Sequence, residues 1–190
     1  MTLTILFAVL LSWMNPVPQT TTSIDVKAST ITWTGYKVTG KHTGAVKIKS
    51  GSLTTAGDVI TGGSFIIDMN SITCTDLEGE YNTKLVGHLK SDDFFGVAAH
   101  PTASIKITRA IAQGDGSYKI LADLTIKGKT LPTKFFAKVA KEGTKKVATA
   151  DIKVDRSEHD IRYGSGSFFD NLGDKTIYDE FDLNVRLVLN

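Results

Sequence analysis

The last stretch of the chain shows the governing pattern most clearly. Ile177, Phe181, Leu183, Val185, Leu187 and Leu189 fall on one side of an extended segment; Tyr178, Glu180, Asp182, Asn184 and Arg186 fall on the other, with Val188 the one apolar residue there. A period of two is that of a β-strand with one face in a core and one in water. In "TASIKITR", Ala103, Ile105 and Ile107 oppose Ser104, Lys106 and Thr108. In "SYKILADLTIKG", Tyr118, Ile120, Ala122, Leu124 and Ile126 share a side. The inward sets are Phe65, Ile67 and Met69 in "GGSFIIDM", and Phe135, Ala137 and Val139 in "TKFFAKVAK". The alternation predicts strands over 31–38, 43–50, 59–69, 103–109, 118–127, 133–140, 146–154 and 177–189. Turn signals separate them at Gly40-Lys41, Ala56-Gly57-Asp58, Gly114-Asp115-Gly116-Ser117, Gly128-Lys129 and Glu142-Gly143.

Eight closely spaced antiparallel strands with one apolar face build a sandwich or a closed barrel. Several of them reach about ten residues, and closure removes the long edges that would otherwise need protection. The expected fold is all-β, an eight-stranded antiparallel β-barrel.

One region breaks the period. The roughly thirty residues between Met69 and Thr102 are too many for a bare loop in a compact domain. Within them Tyr81, Leu85 and Leu89 recur at helical spacing. Asp76 and Glu78 lie toward the start, and Lys84, His88 and Lys90 toward the end, as a helix dipole favours. A helical excursion over about 76–95 is predicted to cover the barrel, with Leu85, Leu89, Phe94 and Phe95 facing inward and Pro101 ending it.

The N-terminus follows a different rule. Residues 1–24 carry no charged side chain, and the run "LTILFAVLLSWM" from Leu3 to Met14 is too short to span a bilayer. It fits the apolar region of a secretory signal, and Asn15, Pro16 and Pro18 break any helix directly after it. Residues 1–22 are expected to be signal segment and neck, and 23–190 one barrel domain without a membrane-spanning segment, periplasmic or secreted.

Composition narrows the function. Twenty-two basic residues against 20 acidic ones leave a formal charge of +2, with no basic stripe for nucleic acid. Cys74 is the only cysteine, so no intramolecular disulfide forms. The histidines, His42, His88, His100 and His159, come from separate segments without a paired-ligand motif, and neither a metal nor another cofactor is expected. "KGKT" at 127–130 lacks the first glycine of a phosphate loop and reads as a hairpin turn. "GSGSF" at 164–168 lacks the order of a nucleophile elbow. No nucleophile has a base beside it in the sequence, so no catalytic residues are expected. The charged set Asp155, Arg156, His159, Asp160 and Arg162 reads first as surface ion pairs.

Several blocks carry a resemblance. "STITWTGYKVTGKHTGAVKIKSGSL", "GGSFIIDMNSI", "KLVGHLKSDDFFGVAAHPTASIKIT", "ADLTIKGKT", "IKVDRSEHDIRYGSGS" and "LGDKTIYDEFDLNVRLVL" resemble, in order, the blocks of the YceI-like, polyisoprenoid-binding protein family. The resemblance runs from about Ile24 to Asn190. It implies a lipocalin-like barrel of exported proteins whose apolar pocket holds an isoprenoid chain or similar long amphiphile. On that reading Trp33, Phe65, Ile67, Ile105, Ile107, Leu124, Ile126, Phe135 and Phe181, with Leu85, Leu89, Phe94 and Phe95 of the cover, would line the pocket. His42, His88 or Arg156 would meet a polar head at the mouth, since a buried head needs a partner. A non-enzymatic carrier leads; an enzyme acting on such a lipid and a barrel packed shut are the alternatives. A homodimer is left open.

Overall fold

Each of the eight predicted strands is present, and the last pairs with the first. The computed structural model describes residues 17–190, so the apolar run before Asn15 lies outside the described residues. In chain order the strands are β1 (Gln19–Ser23), β2 (Thr30–Lys37), β3 (Gly40–Ala56), β4 (Val59–Cys74), β5 (Thr102–Gly114), β6 (Ser117–Ile126), β7 (Lys129–Glu142), β8 (Lys145–Asp155) and β9 (Ile177–Val188); α1 (Gly79–Lys90) follows β4. The sheet order β3-β2-β9-β8-β7-β6-β5-β4 closes through a β3–β4 ladder, with all pairings antiparallel. β1 is an addition to the eight expected strands. It lies end to end with β2 on the same edge of β3, from Gln19 opposite Ala56 to Ser23 opposite Ser52.

The hairpins set the two ends of the barrel. Those at Gly57-Asp58, Asp115-Gly116 and Gly143-Thr144 are two-residue loops and close the far end. Asp115 and Gly116 both have positive φ, 49° and 72°, which suits the twist of the flanking strands. At the other end Lys127 (φ 50°) and Gly128 (φ 76°) turn β6 into β7 in the same way, so "KGKT" is a hairpin. Between β2 and β3 the turning residues are Val38 and Thr39; Gly40 already pairs with Lys37, so the expected Gly40-Lys41 turn sits two residues earlier.

That second end also carries α1 and the 156–176 connection between β8 and β9, and there is the only elaborate covering among the described residues. Leu89 of α1 is buried and Leu85 partly so, against the upper core formed by Met69, Ile72, Phe94 and Val97. Tyr81 departs from the expected inward stripe and is 75% exposed. A helix turns 100° per residue, so a stripe spaced by fours drifts about 40° per step and Tyr81 stands about 80° around from Leu89. The segment after the helix is tied down at both sides. Lys90 Nζ donates to the Asn70 carbonyl at 2.7 Å, and Lys127 Nζ to that of Asp92 at 2.7 Å.

A second correction concerns the charged set at 155–162. Arg162 and Asp160 do form an exposed ion pair at 2.7 Å, but Arg156 and His159 are buried, at 2% and 3% exposure. Arg156 sends Nε to the Tyr178 carbonyl, Nη1 to that of Ile161 and Nη2 to that of Ile177, and lies 3.3 Å from Asp179. The guanidinium fork is the reason: a single side chain with five donors can satisfy several carbonyls of an irregular connection that has no ladder of its own. His159 sits over the seam where the β7–β8 ladder stops at Phe136–Asp151, its Nδ1 donating to the Lys129 carbonyl at 3.1 Å.

Candidate functional site

The barrel is not packed shut. Two buried clusters, around Ile48, Leu53 and Ile120 at the hairpin end and around Met69, Leu89 and Val154 at the helix end, leave a cavity of about 340 Å³ between them. At about 24 cal/mol per Å³, a dry void of that size forgoes roughly 8 kcal/mol of packing, comparable to the whole stability of an ordinary domain. Water is a poor filler, because it needs two to four polar partners and these walls are aliphatic and aromatic over most of their length. An apolar chain recovers what the void loses.

Every wall residue expected from the sequence lines this space. β4 supplies Phe65 and Ile67, β5 Ile105 and Ile107, β6 Leu124 and Ile126, β7 Phe135, β9 Phe181 and β2 Trp33. The cover adds Leu85, Leu89, Phe94 and Phe95. Ile67, Ile105, Ile107, Phe135 and Phe181 point inward yet are only partly buried, since they face the cavity and not one another. Trp33 is held by its indole N–H, which donates to the Thr73 carbonyl at 3.1 Å, and packs on Gly44. A Cβ at Gly44 would stand 1.8 Å from that carbonyl oxygen and 2.6 Å from the indole, so only glycine lets β3 pass there.

Other lining residues escaped the sequence reading. Val46 and Ile48 carry the same alternation and were within its reach. Leu53 and Ile60 were not, because register shifts between Ala45 and Lys47, Ile48 and Ser50, and Thr54 and Thr55 break the period on β3 and β4. Each shift adds an odd number of residues to one strand and so flips the faces beyond it.

The polar groups gather at the helix end. Lys37, His42, His88, Ile177 and Tyr178 surround the mouth. His42 Nδ1 lies 2.9 Å from Asp76 Oδ2; an ionised carboxylate only accepts, so Nδ1 donates and Nε2 is left free to meet a ligand. Asp76 also accepts the Thr43 N–H at 2.8 Å and the Cys74 thiol at 3.2 Å. Desolvation acts to raise its pKa, but the hydrogen bonds from Thr43, His42 and Cys74 outweigh it and bring the carboxyl down to about 2. Burial and the neighbouring carboxylate push the Cys74 thiol up, so it stays protonated. His88 stands edge-on to Tyr163, ring centroids 4.3 Å apart, and to Phe94 at 5.6 Å; Phe94 meets Phe95 at 5.4 Å, and Phe95 meets Phe181 at 6.3 Å. This aromatic series leads from the mouth into the barrel. Arg156 reaches the cavity wall as well, 5.3 Å above the Phe94 ring, with Nε, Nη1 and Nη2 each already donating to a carbonyl.

Acid should loosen this end first. Burial holds the His159 pKa below its ordinary 6.5, so the fold keeps the ring neutral while the unfolded chain takes up a proton. A folded pKa below the unfolded one gives a contribution that is complete above about pH 6.5 and lost as pH falls below it. Asp76, whose folded pKa of about 2 lies below the ordinary 3.8, keeps its contribution down to about pH 4 and loses it toward pH 2. Urea midpoints at pH 7.5 and 5 are expected to fall for the parent and to fall less for His159→Gln, which keeps a donor for Lys129 but has no titrating ring. Equal losses in both proteins would contradict the assignment.

With this geometry in hand, the comparisons with known proteins are specific. A family model described as a YceI-like domain matches residues 23–189. A UPF0312 protein of Ectopseudomonas mendocina (strain ymp) is 39% identical over 56 residues, covering 30% of this chain and 29% of the relative. One from Pseudomonas aeruginosa (strain LESB58) is 34% identical over 89 residues, covering 43% and 46%. The chain thus spans less than half the length of these relatives where it matches them. Burkholderia cenocepacia BcnA superposes with a TM-score of 0.68 at 20% identity, over 88% of this chain and 99% of that one. A polyisoprenoid-binding domain from Saccharophagus degradans, implicated in plant cell wall breakdown, superposes at 0.67 with 17% identity, over 88% and 97%. The likeness to the two solved structures is one of fold.

Proposed function

The chain belongs to the YceI-like family, and from that premise we propose that it is an exported, non-enzymatic carrier that holds a polyisoprenoid or similar long-chain amphiphile in its barrel. The observation that carries this reading is the 340 Å³ apolar cavity enclosed by a closed barrel, with polar side chains only toward one end. A site of this kind takes an apolar tail by burial, at about 0.8 kcal/mol per methylene, and orients it by a few polar groups. The head then lies at the mouth, against His42 Nε2 and His88, with Lys37 beside them. The polyisoprenoid-binding domain of the same fold supports the ligand class. Export is supported by the apolar run from Leu3 to Met14 and the uncharged first 24 residues; N-terminal sequencing of host material is expected to find a start between about residues 18 and 25. A start near 18 retains β1.

The second reading, an enzyme acting on the same lipid, draws on the His42–Asp76 pair at the mouth. The cysteine beside the pair argues against it, because a thiol kept protonated is no nucleophile. Incubation with a prenyl alcohol or prenyl phosphate is expected to return the lipid chemically unchanged, with His42→Ala altering affinity at most. A changed product that His42→Ala abolishes would establish the enzyme and overturn the carrier.

A further inference from the structure

Among the described residues six aromatic side chains stand exposed, and five of them, Tyr81, Tyr163, Phe168, Phe169 and Tyr178, are at the helix end of the barrel; Phe136 alone lies on its side. Val38 at the tip of the β2–β3 hairpin is exposed with them. Direct contacts tie the hairpin tip, the β8–β9 connection and the mouth together. The Val38 N–H donates to the Thr176 carbonyl at 3.1 Å and the Ile177 N–H to that of Gly164 at 2.8 Å. Tyr163 then meets His88, which lines the mouth itself. We propose that this rim is a membrane-docking surface, seated in the interfacial layer of a lipid bilayer so that the cavity opens onto the acyl region.

The exposure of Phe168 and Phe169 is built in. Ser165 is fully buried and accepts the N–H of both phenylalanines on its carbonyl, at 3.2 and 3.0 Å, while its Oγ accepts the Ser167 N–H at 3.1 Å. Ser167 Oγ is in turn anchored on Asp179 at 2.6 Å. A tightly bonded turn thus keeps two large apolar rings about half exposed beside the entrance of an apolar cavity, Phe168 with the Arg162 guanidinium 4.9 Å from its ring centre. Apolar surface gathered at one place marks an interaction site.

The nature of the partner follows from the ligand, so this inference rests on the carrier reading. Each methylene favours an apolar phase about fourfold, and a chain of some twenty carbons therefore enters water at a population on the order of 10⁻¹². Passage through solvent is excluded on any useful timescale, and the mouth must abut the phase that stores the lipid. Charge also suits a neutral bilayer. Lys84 is paired with Glu80 at 2.6 Å and Arg162 with Asp160 at 2.7 Å; Lys37, Lys41 and Lys175 share this end of the barrel with the carboxylates Glu78, Asp92, Asp93, Asp170 and Asp174, so it presents no excess of positive charge to an anionic surface. Phenylalanine and tyrosine at the headgroup level supply the attraction, as they do in interfacial belts.

Flotation of the full chain with phosphatidylcholine vesicles tests this. The parent is expected to float with the vesicles, and equally at low salt and at 0.5 M sodium chloride, because screening weakens only charge-driven docking. Phe168→Ser with Phe169→Ser is expected to reduce the vesicle partition coefficient about tenfold or more, while Phe136→Ser leaves it unchanged. Binding of a fluorescent long-chain fatty probe in solution is measured on each protein. Absence of flotation by the parent, or undiminished flotation of the double variant, with the probe still bound, overturns docking and leaves the carrier reading standing. No probe binding by the parent sinks the carrier reading itself. A dimer of the parent that the double variant loses, with no vesicle binding, assigns the patch to a second copy of the chain and also overturns the proposal.

Discussion

Ile107→Trp is expected to empty the barrel of long-chain ligand while leaving the protein folded. Ile107 sits on β5 opposite Gly63 of β4 and Ala122 of β6, so its neighbours on both sides are small. Its side chain faces the cavity and is only partly buried. An indole there enters space that is now unfilled, and the packing it gains offsets what strain it causes. A change in stability below about 1 kcal/mol is expected, against about 1–3 kcal/mol for the same change in a barrel packed to native density. Ligand affinity should fall by at least about tenfold, since the indole removes several methylenes' worth of contact. Lys106, one residue away, is exposed and outward-facing, and Lys106→Trp should alter neither property. Urea melts with a fluorescent-lipid displacement assay separate the outcomes. Equal effects at 106 and 107 would contradict the facing of β5.

The second large effect is expected at Arg156. Its replacement by Ala leaves the carbonyls of Ile161, Ile177 and Tyr178 without this donor and Asp179 without its counter-charge, the Ile161 bond fully buried and the others partly so. Asp179 Oδ1 already has no hydrogen-bond partner in good geometry, so the charge of Arg156 is what offsets its burial. Breaking a buried pair from one side costs about 3–5 kcal/mol, a large part of a domain's total stability. Arg156→Lys is expected to recover little, because an ammonium at the end of a flexible stem cannot address carbonyls on both sides of a fork. Hydrogen exchange should show the loss concentrated in residues 156–178. A variant with parent-like stability would contradict the role assigned to the guanidinium.

How much of this was legible in advance depends on where the periodicity holds. β6 buries every second residue along its ten positions, so its facing could be read directly. The closed barrel followed from strand count and length. β1 could not be read, since "QTTTS" has no apolar face and pairs through its backbone ladder with one Thr21–Thr54 hydroxyl contact. Leu53 and Ile60 were hidden by bulges that shift the period, which a pattern search takes for noise. Arg156 and His159 were misplaced because charged and titratable residues close together in sequence look like a solvated surface. What buries them is an irregular connection whose carbonyls need donors, and no local pattern announces that need. The wall of the cavity was thus readable as a set of inward faces, whereas the Asp76 hub and the Tyr163 contact at its mouth depend on segments distant in sequence.

The central claim is that the space between the two halves of the core is occupied by a long apolar chain. Native mass spectrometry of the protein purified from its host without detergent, followed by organic extraction, addresses it directly. The expected result is a protein carrying added mass that extraction releases as an intact long-chain amphiphile, absent from Ile107→Trp prepared in the same way. A parent protein of bare polypeptide mass, from cells that contain prenyl lipids, would contradict it.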